Sequence, residues 1–79
     1  MYIHVTVNIE RYHQENIELR LSDQFMIKQL IDITWQAKQI EGKPREGHWI
    51  RVKNKERVYN GGLTLQACGI TTGDCIEIL

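Results

Sequence analysis

The chain has 79 residues, of which 42% are hydrophobic and 25% are charged, and its ten basic and ten acidic residues cancel. A chain of this length has room for one hydrophobic core and buries only roughly 60% of the surface that its unfolded form exposes, which leaves little space for a deep substrate cavity. The zero formal charge gives no overall attraction to nucleic acid or to an anionic membrane. We therefore expect a single globular domain over residues 1–79.

The first 21 residues contain two runs in which apolar and polar side chains alternate. Residues 2–10 form the first run and residues 17–21 the second, and strict alternation is typical of a half-buried strand. Residues 10–16 between them are polar and offer no evident hydrophobic anchor, which predicts a turn. The pattern therefore predicts an antiparallel hairpin.

A helix is predicted next. Ser22 and Asp23 are residues whose side-chain oxygens accept hydrogen bonds from the first turn of a helix. From residue 23 or 25 to residue 40 the apolar spacing changes from two to 3.6, and Pro44 prevents continuation. The apolar arc is wide, with Met26 and Ile33 on one flank and Trp35 on the other. These flanks predict either a broad core face or a groove for a partner or for a second copy of the chain.

The second half of the chain predicts three further strands. Residues 48–53 alternate, with Ile50 and Val52 on one face, and residues 57–60 form a short strand after a polar turn. A short helical turn is expected between Leu65 and Ile70, followed by a last strand over residues 75–78. The order is ββαββ, a helical turn, then β.

These elements define an α+β architecture. Because each strand has only one apolar face, one helix covers one side of the sheet. The first and last strands are the most apolar, so we expect them in the middle of a mixed sheet of four to five strands.

This order of elements resembles the ubiquitin-like β-grasp fold. The closing pattern T-L-x-x-C-G-I-x-x-G-D-x-I-x-I, at residues 64–78, is typical of ubiquitin-like domains. Four further segments are similar to the YukD/EsaB family, small ubiquitin-like proteins of the type VII (WXG100, ESX-like) secretion systems of Gram-positive bacteria. They are MYI at the start, LRLSD at 19–23, PREGHWIRV at 44–52 and CGITTGDCIEIL at 68–79. The resemblance implies a non-conjugated cytoplasmic subunit or regulator that binds protein components of the apparatus, with no enzymatic activity and no cofactor.

The Gly61-Gly62 pair raises an alternative function. Ubiquitin-like modifiers and sulfur carriers react through a C-terminal di-glycine, whereas these glycines lie seventeen residues before the last residue. We therefore expect this pair to occupy a loop that needs a positive φ or close packing. The last residues, Ile78 and Leu79, fall on a strand, which disfavours a modifier or sulfur carrier.

Three side chains on one strand form the candidate protein-interaction surface. Trp49, Arg51 and Lys53 share the face opposite Ile50, and Trp and Arg are frequent at protein interfaces. Trp35 is a further candidate on the helix flank. Compared with ubiquitin, Arg51 takes the place of the exposed isoleucine that ubiquitin receptors bind, so we do not expect those receptors to bind here. The alternative is that Trp49 packs flat across the sheet and the charges are solvated.

The charge of the chain is unevenly distributed. Residues 43–57 contain six basic and two acidic residues, so this segment carries +4 and the rest of the chain −4. A basic stretch with aromatic neighbours also allows a small nucleic-acid-binding module. The zero net charge weighs against this alternative.

No arrangement of catalytic, cofactor-binding or metal-ligating residues is evident. The two cysteines, Cys68 and Cys75, have no zinc-site spacing and lack a nearby base, so we expect inert, largely buried thiols rather than a disulfide. No segment approaches the roughly 20 apolar residues of a membrane helix, and no signal peptide is evident. These features favour a cytoplasmic protein without membrane insertion.

Overall fold

The computed structural model describes residues 1–12 and 16–79, and these residues form five strands and one helix. In chain order the elements are β1 (Tyr2–Asn8), β2 (Asn16–Ser22), α1 (Ile27–Lys38), β3 (Ile50–Val52), β4 (Arg57–Tyr59) and β5 (Cys75–Ile78). The strands form one sheet in the order β2-β1-β5-β3-β4. β1 and β5 are parallel and the other pairs are antiparallel. The sheet is therefore mixed, and its first and last strands lie in its interior, as the sequence predicts.

The opening hairpin follows the alternation in the sequence. Its register sets Val5 opposite Leu19, so the apolar residues of both strands share the face that is turned to the core. β1 ends two residues earlier than predicted, because the side-chain oxygen of Asn8 accepts a hydrogen bond from the Glu10 N–H (2.9 Å) and begins the turn. Residues 13–15, which belong to the predicted turn, lie outside the described residues.

The helix begins later than the sequence predicts, at Ile27 instead of residue 23 or 25. Met26, the residue before the helix, is held in an extended conformation, because it forms an antiparallel bridge with Thr64 and the Ile27 N–H donates to the Leu63 carbonyl (2.9 Å). The Met26 N–H donates to the side-chain oxygen of Gln29 (2.8 Å), which satisfies one backbone donor at the helix start. A long-range contact thus overrides the local start signal.

Ser22 and Asp23 do not cap the helix, so that prediction is wrong. The Ser22 hydroxyl oxygen accepts a hydrogen bond from the Gln24 N–H (3.1 Å) within a local turn. The Asp23 carboxylate lies 3.2 Å from the amino group of Met1. Both side chains therefore stabilise the exit from β2.

The core lies between α1 and one face of the sheet. All five strands and the helical turn after residue 64 enclose it, and its fully buried side chains are Val7, Ile9, Ile27, Leu30, Ile31, Thr34, Ile50, Val52, Leu65, Ile70, Ile76 and Ile78. Burial of this apolar surface is the main favourable term in the folding of a domain of this size.

Trp35 belongs to this core, which corrects its assignment as a candidate surface residue. Its side chain is only 7% exposed, and the ring of Tyr12 packs against it edge-on with the ring centroids 4.7 Å apart. The Tyr12 hydroxyl donates to the Leu79 carbonyl (2.6 Å). Tyr12 is thus a hydrophobic anchor in a segment where the sequence predicts none.

The two tryptophans should respond differently to truncation. Trp35→Ala should lower the free energy of unfolding by about 3–5 kcal/mol, because it removes a large buried side chain and leaves a cavity. Trp49→Ala should lower it by less than about 1 kcal/mol, because that side chain is largely exposed. Urea denaturation of the two variants measures both values. Equal losses would contradict the placement of Trp35 in the core and Trp49 on the surface.

Candidate protein-interaction surface

The outer face of the sheet, opposite α1, exposes a row of side chains across three strands. Arg51 in β3 lies opposite Glu77 in β5 and opposite Val58 in β4. Backbone pairing continues beyond both ends of β3, because the Leu79 N–H donates to the Trp49 carbonyl (3.1 Å) and the Lys53 N–H to the Cys75 carbonyl (2.9 Å). Since side chains alternate along paired backbone, Trp49 and Lys53 lie on the same face as Arg51.

We refer to Trp49, Arg51, Lys53 and Val58 as the Trp49 surface. Two of its members are apolar and well exposed, Trp49 by 46% and Val58 by 48%. Three of these residues are predicted from sequence alternation alone. Val58 is not, because its proximity to Arg51 depends on the pairing register of β3 with β4. Trp35, in the core, does not join this surface.

A tight turn positions Trp49. His48 and Gly47 both have positive φ, +49° and +85°, and the turn is fixed by a hydrogen bond from the Gly61 N–H to the Gly47 carbonyl (2.9 Å). The indole lies directly over Gly47, where an added Cβ would come within 2.5 Å of Nε1 of Trp49. A residue with a Cβ at position 47 would displace the indole, so the observed position of Trp49 requires glycine there.

Gly61 packs against the same turn. It is buried, and a Cβ at this position would lie 2.5 Å from the Cβ of His48. Neither Gly61 nor Gly62 has a positive φ, and the Gly62 N–H donates to the side-chain oxygen of Asn60 (2.9 Å). The di-glycine pair therefore sits in a packed loop, and of the two predicted reasons for it, close packing applies at Gly61.

The charges near this surface are only partly neutralised. Arg51 Nη1 lies 3.3 Å from Oε1 of Glu77, and Lys55 Nζ lies 2.9 Å from Oδ2 of Asp74. Residues 43–57 carry +4, and together with Glu77 and Asp74 they carry +2. The remaining basic side chains are exposed and make no ion pair with any described residue; they are Lys43, Arg45, Lys53 and Arg57.

The buried carboxylate of Asp74 ties the β3–β4 hairpin to the start of β5. It accepts hydrogen bonds from Asn54 Nδ2 (2.8 Å), from Lys55 Nζ (2.9 Å) and from the Thr71 N–H (2.9 Å). Burial by itself raises the pKa of this carboxyl group. The three hydrogen bonds and the charge of Lys55 outweigh burial, so the pKa of Asp74 is lower than usual.

The cysteines offer no comparable site. Both are free thiols, Cys68 buried and Cys75 half-buried on the outer face, and burial raises the pKa of Cys68. Within residues 1–12 and 16–79, no three His, Cys, Asp or Glu side chains are placed to hold a metal ion. The same residues include no helix of sufficient length and apolarity to cross a membrane.

Comparison with known proteins identifies the family. A family model described as "WXG100 protein secretion system (Wss), protein YukD" matches residues 2–78. The chain belongs to the YukD family. It is 51% identical over 79 residues to the ESX secretion system protein YukD of Bacillus subtilis (strain 168), and the match covers the whole of both chains.

Solved structures confirm the ubiquitin-like β-grasp fold of this YukD family member. Caldiarchaeum subterraneum ubiquitin matches 99% of this chain and 91% of its own, with a TM-score of 0.75 and 14% identity. The C-terminal ubiquitin-like domain of mouse tubulin-specific chaperone e matches 99% of this chain and 84% of its own, with a TM-score of 0.70 and 14% identity. At this identity the likeness concerns the fold alone.

Gly61 and Gly62 should differ in how strongly substitution by alanine destabilises the fold. Gly61→Ala should lower the free energy of unfolding by about 1–3 kcal/mol, because the new Cβ overlaps with His48. Gly62→Ala is the matched control and should cost less than about 0.5 kcal/mol, since the nearest atom, the side-chain oxygen of Asn60, would lie 3.2 Å from the new Cβ and has to shift only slightly. Thermal unfolding measures both. A larger loss for Gly62→Ala would contradict the support that Gly61 gives to the turn.

The stability of the fold should depend on pH through Asp74. Because its pKa is lower in the folded state, its ionised form stabilises the fold above the unfolded pKa, and this contribution is lost as the pH falls through the folded pKa. Wild type should therefore exceed Asp74→Asn in stability near neutral pH, and the difference should shrink towards about pH 2. Urea midpoints over this range measure the difference, with Asp32→Asn on the exposed side of α1 as the control. A difference independent of pH would refute this role for the carboxylate.

Proposed function

We propose that this chain is a non-conjugated, protein-binding subunit or regulator of a type VII secretion system, and that it docks its partner through the Trp49 surface. The observation that carries this proposal is the exposed Trp49, which shares the uncovered face of the sheet with Arg51 and Val58. Aromatic residues and arginine are enriched in the centres of protein interfaces. Membership of the YukD family supplies the secretion system as the setting.

We place this function in the cytoplasm and assign it no catalytic step. Binding would need no cofactor, because the surface offers an apolar anchor, a guanidinium group and, at Lys53, a positive charge that makes no ion pair with a described residue. The partners are protein components of the secretion apparatus. The name of the Bacillus subtilis relative, an ESX secretion system protein, supports this class of partner.

Modifier chemistry is not part of the proposal. The conjugation of ubiquitin-like modifiers requires a flexible glycine pair that an activating enzyme can reach. Gly61 is buried against His48, and both glycines lie within the loop that packs against the Gly47–His48 turn. Their position favours a structural role.

Site-specific cross-linking tests the docking face. The chain, with the photoreactive amino acid benzoylphenylalanine at position 58, replaces the 51% identical relative in Bacillus subtilis (strain 168). Irradiation should give covalent adducts with secretion-system proteins, which mass spectrometry identifies. Adding Trp49→Ser should reduce their yield, because it removes the large apolar side chain on the same face as position 58.

The matched control carries the same photoreactive group at Gln36, an exposed position of α1. This variant should give few or no such adducts. Equal capture from positions 36 and 58, or no secretion-system protein captured from position 58, would reject the Trp49 surface as the docking face.

A further inference from the structure

We infer that the partner segment bound by the Trp49 surface is an acidic peptide in extended conformation that carries one apolar anchor side chain. This inference rests on the proposed function and adds the chemistry of the partner. Three observations support it: an apolar pair, an excess of positive charge around that pair, and a free strand edge beside it.

The apolar pair defines the position of the anchor. Val58 lies at the centre of β4, and Trp49 lies one residue before β3, on the same face and diagonal to Val58 in the β3–β4 register. Both are about half exposed on a face that no other described element covers. An aliphatic or aromatic side chain placed beside them would remove apolar surface from water on both sides of the contact.

The surrounding charges determine what flanks the anchor. Lys53 lies on the Trp49 surface at the hairpin end of β3, exposed and without an ion pair to any described residue. Arg57, which pairs with the buried Val52, is also exposed and unpaired among the described residues, and it projects from the other face at the open edge of β4. Arg51 forms an ion pair with Glu77. The Arg51 side chain is 47% exposed and that of Glu77 only 15%, so the guanidinium is the more accessible member of the pair. Acidic side chains on either side of the anchor would complement this charge and accelerate association.

The open edge of the sheet is the reason for expecting the partner peptide to be extended. β4 is the last strand in the order β2-β1-β5-β3-β4, so one side of it has no neighbouring strand. Apart from its pairing with β3, its backbone makes no hydrogen bond with another described segment. An unpaired edge accepts an added strand through main-chain hydrogen bonds.

The same observations disfavour two other occupants. A second copy of the chain, paired edge to edge through β4, would bring one positively charged 43–57 segment against another, and like charges repel. Single-stranded nucleic acid requires aromatic faces for stacking. Of the four residues of the Trp49 surface one is aromatic, and its indole lies against Gly47.

Model peptides test this partner class directly. Three short synthetic peptides of equal length are compared: glutamates around a central leucine, lysines around the same leucine, and glutamates around a central serine. Fluorescence anisotropy measures affinity, and ¹H–¹⁵N NMR locates the binding site. Only the acidic leucine peptide should bind well, with shifts at Trp49, Arg51, Lys53 and Val58, and added salt should weaken its binding.

Charge reversal provides the matched variants. Lys53→Glu should weaken binding of the acidic leucine peptide by about tenfold, because it places like charges in contact. Lys28→Glu changes the net charge by the same amount on the exposed side of α1 and should leave the affinity unchanged. Equal weakening by both variants would show a non-specific charge effect and overturn the inference.

The remaining outcomes are equally decisive. No binding of the acidic leucine peptide, equal binding of the lysine peptide, or shifts confined to other residues would overturn the inference. Tighter binding of an oligothymidine probe, with shifts at Trp49 and Lys53, would assign the surface to nucleic acid instead. If the peptides fail while position 58 still cross-links secretion-system proteins, the proposed function stands and only the acidic partner class is rejected.

Discussion

The parallel pairing of β1 with β5 is the constraint on which the rest of the structure depends. It sets Thr6 opposite Cys75 and brings the first and last strands together in the interior of the sheet. β2 can then add only beside β1, and β3 only beside β5. Because a parallel pair needs a long crossover, the intervening chain has to pass over one face, and α1 fills that face with its apolar side. The opposite face remains open to solvent.

This arrangement also determines the composition of the open face. β3 lies between β5 and β4, so an outward side chain of β3 has a neighbour on each of these strands. Arg51 lies between Glu77 on one side and Val58 on the other. The Asp74 network then fixes the hairpin against β5 at its turn, and the Gly47–Gly61 contact fixes it at the opposite end. The Trp49 surface is thus held at both ends by residues that do not belong to it.

Local patterns predict most of the fold, and long-range contacts account for the differences. Alternation and helical spacing suffice for the strands, the single helix and the interior position of the first and last strands. The helix start at Ile27 could not be predicted, because the Met26–Thr64 bridge joins segments far apart in the chain. The Tyr12–Trp35 contact and the position of Val58 likewise depend on tertiary packing and strand register. The predicted surface therefore contained Trp35, which is buried, and lacked Val58.

The ion pair between Arg51 and Glu77 shows why fold and surface have to be argued separately. Exposed pairs of this kind contribute about 0–1 kcal/mol to stability, so the fold does not depend on it. The ubiquitin-like structures share the fold at 14% identity, whereas the YukD relative retains 51%. The backbone thus tolerates wide changes in sequence. The β-grasp fold therefore does not require a charged side chain such as Arg51 on the open face. The proposed recognition on this face accordingly depends on side-chain charge and exposure, which differ between proteins of the same fold.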